Sequence, residues 1–183
     1  MKRVWQVLFT ASFVLGASSS LVEAQQRPDA ERERVVIYRT VEDPAVPAVP
    51  AGCPHGNPNV RLGATVRSFQ TRASDAETVN GRGRQVGTAS ACGLITGPLV
   101  PGATVPFFIE FRVDEGVYVA NGTCTVVSND MPTPGLILAG CNLRLQNAPA
   151  GFAGGTATSN SVFNPARLAG FDTGSFWTLR FVR

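Results

Sequence analysis

General acid–base chemistry needs titratable groups held close together. The 183-residue chain offers carboxylates for such work at Asp43, Asp75, Glu77, Glu110, Asp114, Glu115, Asp130 and Asp172. Asp114, Glu115 and Asp130 fall in predicted turns, where short acidic side chains are ordinary. Glu110 and Arg112 stand apart, because they alternate with Phe107, Ile109, Phe111 and Val113. A period of two places these sets on opposite faces of one strand. If the apolar set covers the outside of a barrel, Glu110 and Arg112 point into its lumen as a carboxylate–guanidinium pair. If the apolar set fills the interior, the pair faces water.

Ser-His-Asp and Cys-His catalysis both require a histidine, and His55 is the single one in the chain. It sits in Cys53-Pro54-His55-Gly56 within a proline-rich stretch, where an exposed loop residue is expected. One histidine excludes a multi-histidine metal centre, and no Cys-x-x-Cys pair supports zinc. The expectation is therefore no metal and no cofactor. Four cysteines, Cys53, Cys92, Cys124 and Cys141, form an even set that reads as two disulfides in an exported chain. Three connectivities exist. Cys124 and Cys141 lie on predicted consecutive strands, which favours that pair and leaves Cys53 with Cys92. A hairpin centred near Met131 sets Cys124 opposite Leu138 instead. That pairing then requires a bulge, since a disulfide needs Cα atoms within about 7 Å.

Export is read from residues 1–24. Lys2 and Arg3 precede an apolar run from Val4 to Ala17, and Val22-Glu23-Ala24 offers a small-residue cleavage site. The expected product is secreted or periplasmic, with no membrane span after cleavage. Removing 24 of 183 residues leaves 159, with 14 basic and 12 acidic side chains. Every remaining basic residue is Arg. So small a surplus does not suggest a nucleic-acid partner, which needs a dense basic stripe, and none is expected.

Behind the signal, residues 25–58 form a polar segment with a candidate first strand at 35–41 and a proline-rich loop. Pro44, Pro47, Pro50, Pro54 and Pro58 exclude a helix there. The loop is expected to be a semi-rigid connector, the alternative being a docking segment for a proline-recognising partner. The domain proper is placed at 59–183. Strands are expected at 60–67, 84–95, 107–113, 117–127, 136–145, 154–163 and 175–182, separated by Gly/Pro turns. Asn121-Gly122 is read as a bulge or kink within one strand. Eight strands and no helical stripe predict an all-β, single-domain antiparallel eight-stranded barrel, with a β-sandwich as the alternative.

The stretch from Gly83 to Pro165 resembles the allene oxide cyclase and dirigent class of secreted eight-stranded barrels. The residues concerned are Gly83-Arg84-Gln85-Val86-Gly87-Thr88, then Phe111-Arg112-Val113-Asp114-Glu115-Gly116-Val117-Tyr118, then Gly151-Phe152-Ala153-Gly154-Gly155. The resemblance implies a lumen that steers a reactive apolar small molecule without a cofactor. No family catalytic residue matches a position here, and the four cysteines and the proline-rich segment depart from the plant pattern. The preferred reading is a non-catalytic barrel binding a small apolar ligand or a protein surface. The alternatives are a cofactor-free cyclase or dirigent-like protein using Glu110 and Arg112, and a structural envelope protein acting through the proline-rich loop.

Overall fold

The computed structural model describes residues 33–68 and 83–183. The proposed export segment, Asp75 and Glu77 lie outside them. Eight strands follow in order: β1 (Glu33–Glu42), β2 (Val60–Ser68), β3 (Gln85–Gly93), β4 (Thr104–Val113), β5 (Gly116–Ser128), β6 (Ile137–Leu145), β7 (Gly154–Phe163) and β8 (Gly174–Val182). Each pairs antiparallel with its neighbour, and β8 pairs with β1, closing a barrel. Among the described residues no helix is long and apolar enough to cross a membrane.

The barrel begins earlier than residue 59. β1 is a full stave, pairing with β8 from Glu33↔Val182 to Val41↔Gly174 and with β2 from Tyr38↔Ser68 to Glu42↔Ala64. Closure requires it, since β8 would otherwise leave an open edge.

Small and large side chains complement one another between neighbouring strands on the lumenal face. Ala89, Ala91 and Gly93 on β3 face Phe111, Ile109 and Phe107 on β4. One end is filled by aromatics. Phe111 meets Trp177 edge-on at 5.5 Å between ring centroids, and Tyr118 meets Phe181 at 5.0 Å. An eight-stranded barrel is just wide enough to be filled by side chains or to hold one small ligand.

Both disulfides follow the favoured connectivity, Cys53–Cys92 and Cys124–Cys141. Cys124 and Cys141 stand directly opposite one another, because the β5–β6 turn is centred between Pro132 and Thr133 rather than at Met131. A register shift between Val126 and Ser128 supplies a bulge. The expected bulge at Asn121-Gly122 is absent: both ladders run through it without a shift. Gly122 answers a packing demand instead, since a Cβ there would lie 2.5 Å from the Asn142 carbonyl oxygen.

The proline-rich segment is a strap laid on the outer face of β2, β3 and β4. Cys53 bonds to Cys92 on β3. The Ser90 hydroxyl donates to the Pro47 carbonyl at 2.6 Å. A Cβ at Gly63 would lie 2.1 Å from the Val46 carbonyl oxygen, so the strap rests directly on β2.

Candidate binding cavity

Glu110 and Arg112, the pair considered for the lumen, are on the outer face. Phe107, Ile109 and Phe111 fill the interior, and strand alternation turns Glu110 and Arg112 outward. Glu110 does not face open water either. It is 8% exposed and lies opposite Ser90, which the strap covers. Arg112 Nε forms an ion pair with Glu110 Oε1 at 2.5 Å, with the Arg112 side chain well exposed. A buried carboxylate requires such a partner, and here the partner comes from two residues along the same strand. His55, expected to be exposed, is half-buried in the strap, and its Nε2 is buried with no hydrogen-bond partner.

The lumen opens at the other end from the aromatic plug, where β1–β2, β3–β4, β5–β6 and β7–β8 connect. A cavity of about 280 Å³ occupies this mouth. Its floor holds Phe107 and Cys124, and its walls include Leu62, Val105, Ile137 and Ala139. Ile95 and Leu99 of the β3–β4 loop add to one side. A smaller chamber of about 30 Å³ lies deeper, reaching Trp177 and Ala91 and sharing Glu42, Leu62 and Phe107 with the mouth. Thr40 and Ser175 line it, and a chain of hydroxyls runs on from Ser175 along β7. Ser175 Oγ donates to Ser161 Oγ at 2.8 Å, and Ser161 Oγ is 2.8 Å from Ser159 Oγ. Thr40 Oγ1 donates to the Ser175 carbonyl.

The rim is fixed by two side-chain amides. Asn59 Nδ2 donates to the Ile95 carbonyl at 2.7 Å, while Ile95 N–H donates back to Asn59 Oδ1 at 2.7 Å. That exchange ties the end of the strap to the β3–β4 loop. Buried Asn164 organises the β7–β8 loop. Its amide nitrogen donates to the carbonyls of Leu168 and Phe171, and its oxygen accepts from Leu168 N–H. The loop so formed carries Arg167 at a φ of 55°, the one non-glycine residue in the left-handed region among those described. An L-residue held there costs about 1–3 kcal/mol. From that position Arg167 reaches across to Glu42, at 3.2 Å.

Glu42 was not among the sequence candidates, yet it lines the mouth, the deeper chamber and a side cavity of about 160 Å³ beneath the β7–β8 loop. Its phase was legible: Tyr38, Thr40 and Glu42 alternate on the lumenal face of β1. Among the described residues, no three His, Cys, Asp or Glu side chains are grouped to hold a metal ion.

At the plugged end, burial pushes the Tyr38 hydroxyl up to about 12, with the nearby Glu115 carboxylate adding to the shift. Tyr118 is raised for the same reasons, burial first. These phenols stay neutral at physiological pH and serve the plug.

The fold and cavity together define a closed antiparallel eight-stranded barrel, disulfide-stapled, with an apolar mouth and a plugged base. Comparison of the chain with protein-family models, with characterised proteins and with solved structures finds no match.

Proposed function

We propose that this is an exported, non-catalytic barrel that holds one small apolar molecule in its mouth. The observation that carries the reading is the mouth cavity, open to solvent yet walled by Leu62, Val105, Ile137 and Ala139. An enclosed apolar cavity of roughly 150 Å³ is enough for one benzene. The 280 Å³ found here matches a ligand of about two rings, or a chain of similar bulk. Export is supported by the basic and apolar start of the sequence and by two disulfides, which fit an oxidising compartment. The binding reading is preferred to a cyclase because Glu110 and Arg112 lie outside the lumen.

The test is to titrate the exported, oxidised protein with the neutral dye N-phenylnaphthylamine, whose emission rises in apolar surroundings, and to repeat this with Ala139→Trp. Ala139 lines the mouth, so the indole is expected to occupy the cavity and remove binding at unchanged fold. Equal dye binding by both proteins, or none by the wild type, would refute the mouth as the site.

A further inference from the structure

Resting on the mouth as a ligand site, we infer that its occupant carries a single cationic ammonium group, seated against the Glu42 carboxylate. Glu42 is where the three cavities meet. Its strand position directs it to the lumen, and its side chain is 23% exposed. Among the described residues it is the one carboxylate lining the mouth or the deeper chamber. A second carboxylate, Asp172, shares the side cavity with it.

Two guanidiniums also line the mouth, and each is placed differently from Glu42. Arg167 is 78% exposed. Arg167 thus meets Glu42 from the solvent side, where an ion pair is weakened by water and opens readily. Arg61 sits opposite Cys92, on the outward side of β2, with its Nε donated to the Pro58 carbonyl at 2.9 Å. The charge set inside the low-dielectric wall is therefore negative, and the positive charges lie at the watery rim. Electrostatic attraction strengthens as water is excluded. A ligand ammonium entering with an apolar body gains more from Glu42 than Arg167 does from outside.

Arg167 then acts as a latch. With the mouth empty it neutralises Glu42. An incoming ammonium replaces it, and the long arginine side chain swings into solvent. The Asn164-built loop keeps Arg167 at hand for the reverse exchange.

The experiment is calorimetric titration of the exported, oxidised protein at neutral pH with three probes of one shape: naphthylmethylammonium, naphthylmethanol and naphthoate. Each is measured on the wild type, Glu42→Gln and Arg167→Gln. Naphthylmethylammonium is expected to bind the wild type about tenfold more tightly than naphthylmethanol, the scale of a hydrogen bond to a charged group. Glu42→Gln should erase that preference and leave naphthylmethanol affinity within about threefold, while Arg167→Gln should tighten the ammonium further. Tightest binding by naphthoate, weakened in Arg167→Gln, would overturn the inference in favour of an anionic ligand. Equal affinity for all three heads would overturn it and leave the mouth as a ligand site. Failure of all three to bind would remove the mouth reading and this one with it.

Discussion

Removing the Cys53–Cys92 bridge tests whether the strap is structural. The bridge closes a loop between residues 39 apart in sequence. In the chain-entropy description, a loop of that length restricts the unfolded chain by about 13 cal/mol/K, or about 3.9 kcal/mol at 25 °C. Replacing both cysteines with alanine also deletes buried sulfur, since Cys92 is fully buried, so this figure is a lower expectation. With a urea m-value of about 2 kcal/mol/M, typical of a small domain, the midpoint should fall by about 2 M. The m-value itself should rise, because the unfolded chain of the variant is less restricted. The assay is equilibrium urea unfolding followed by Trp177 fluorescence, with hydrogen exchange in the native state. The amides of Val46 and Cys53, which donate within the strap to Asp43 and Pro50, should exchange faster, while those of β6 and β7 keep their protection. A midpoint shift under about 0.5 M with an unchanged m-value would refute the account. So would unaltered exchange at Val46 and Cys53.

Two further expectations follow from the same packing. Gly63→Ala should lift the strap from β2, because the added Cβ would meet the Val46 carbonyl oxygen at 2.1 Å and its carbon at 2.8 Å. A loss of about 1–3 kcal/mol by urea unfolding is the scale of such overpacking, and wild-type stability would contradict the contact. Tyr38 should make the fold sensitive to alkali. Its hydroxyl is pushed up to about 12 in the native state by burial, then by Glu115, whereas the unfolded phenol titrates near 10. Between those values the native state holds a proton that the unfolded state has lost, so stability falls as pH rises. The loss reaches about 2.7 kcal/mol for a two-unit difference, and Tyr38→Phe should remove it. A phenolate absorbance titration placing Tyr38 near 10 would contradict the burial argument.

Much of the barrel was legible because alternation and turn residues are local signals. Phe107, Ile109 and Phe111 declare a strand by their spacing alone, and Asp114-Glu115 makes the two-residue turn that joins β4 to β5. What spacing cannot declare is which face looks inward. That depends on the whole barrel, and it decided the fate of Glu110 and Arg112. The cysteine register failed by the same kind of margin. Placing the turn at Met131 shifted every partner on β6 by three residues, whereas the full loop and the bulge before Ser128 set Cys124 against Cys141. The strap was legible as an extended connector tied down through Cys53, but its resting place was not. Proline density says a segment is extended and helix-free, but not what it lies upon. Only the Cys53–Cys92 bond and the glycine at position 63 record that.

Glu42 shows how a boundary error conceals a site. Ending the first strand at Val41 and the polar segment at 58 put this carboxylate in a connector, where an acid means nothing. Continuing the alternation by one residue puts it on the lumenal face beside Thr40. The two ends of the barrel then acquire opposite characters from one cause. Toward the base, Phe111, Tyr118, Trp177 and Phe181 fill the section completely. Toward the mouth, Ala64, Ala91 and Ala139 occupy corresponding inward positions, and the volume they leave is the cavity. Space of that kind is retained only where the surrounding frame resists collapse. The Cys124–Cys141 bridge holds the floor, the Asn59–Ile95 exchange and the strap hold one rim, and Asn164 holds the other. The stapling that compensates a partly empty core is thus concentrated around the opening, where a ligand must enter without the barrel closing on itself.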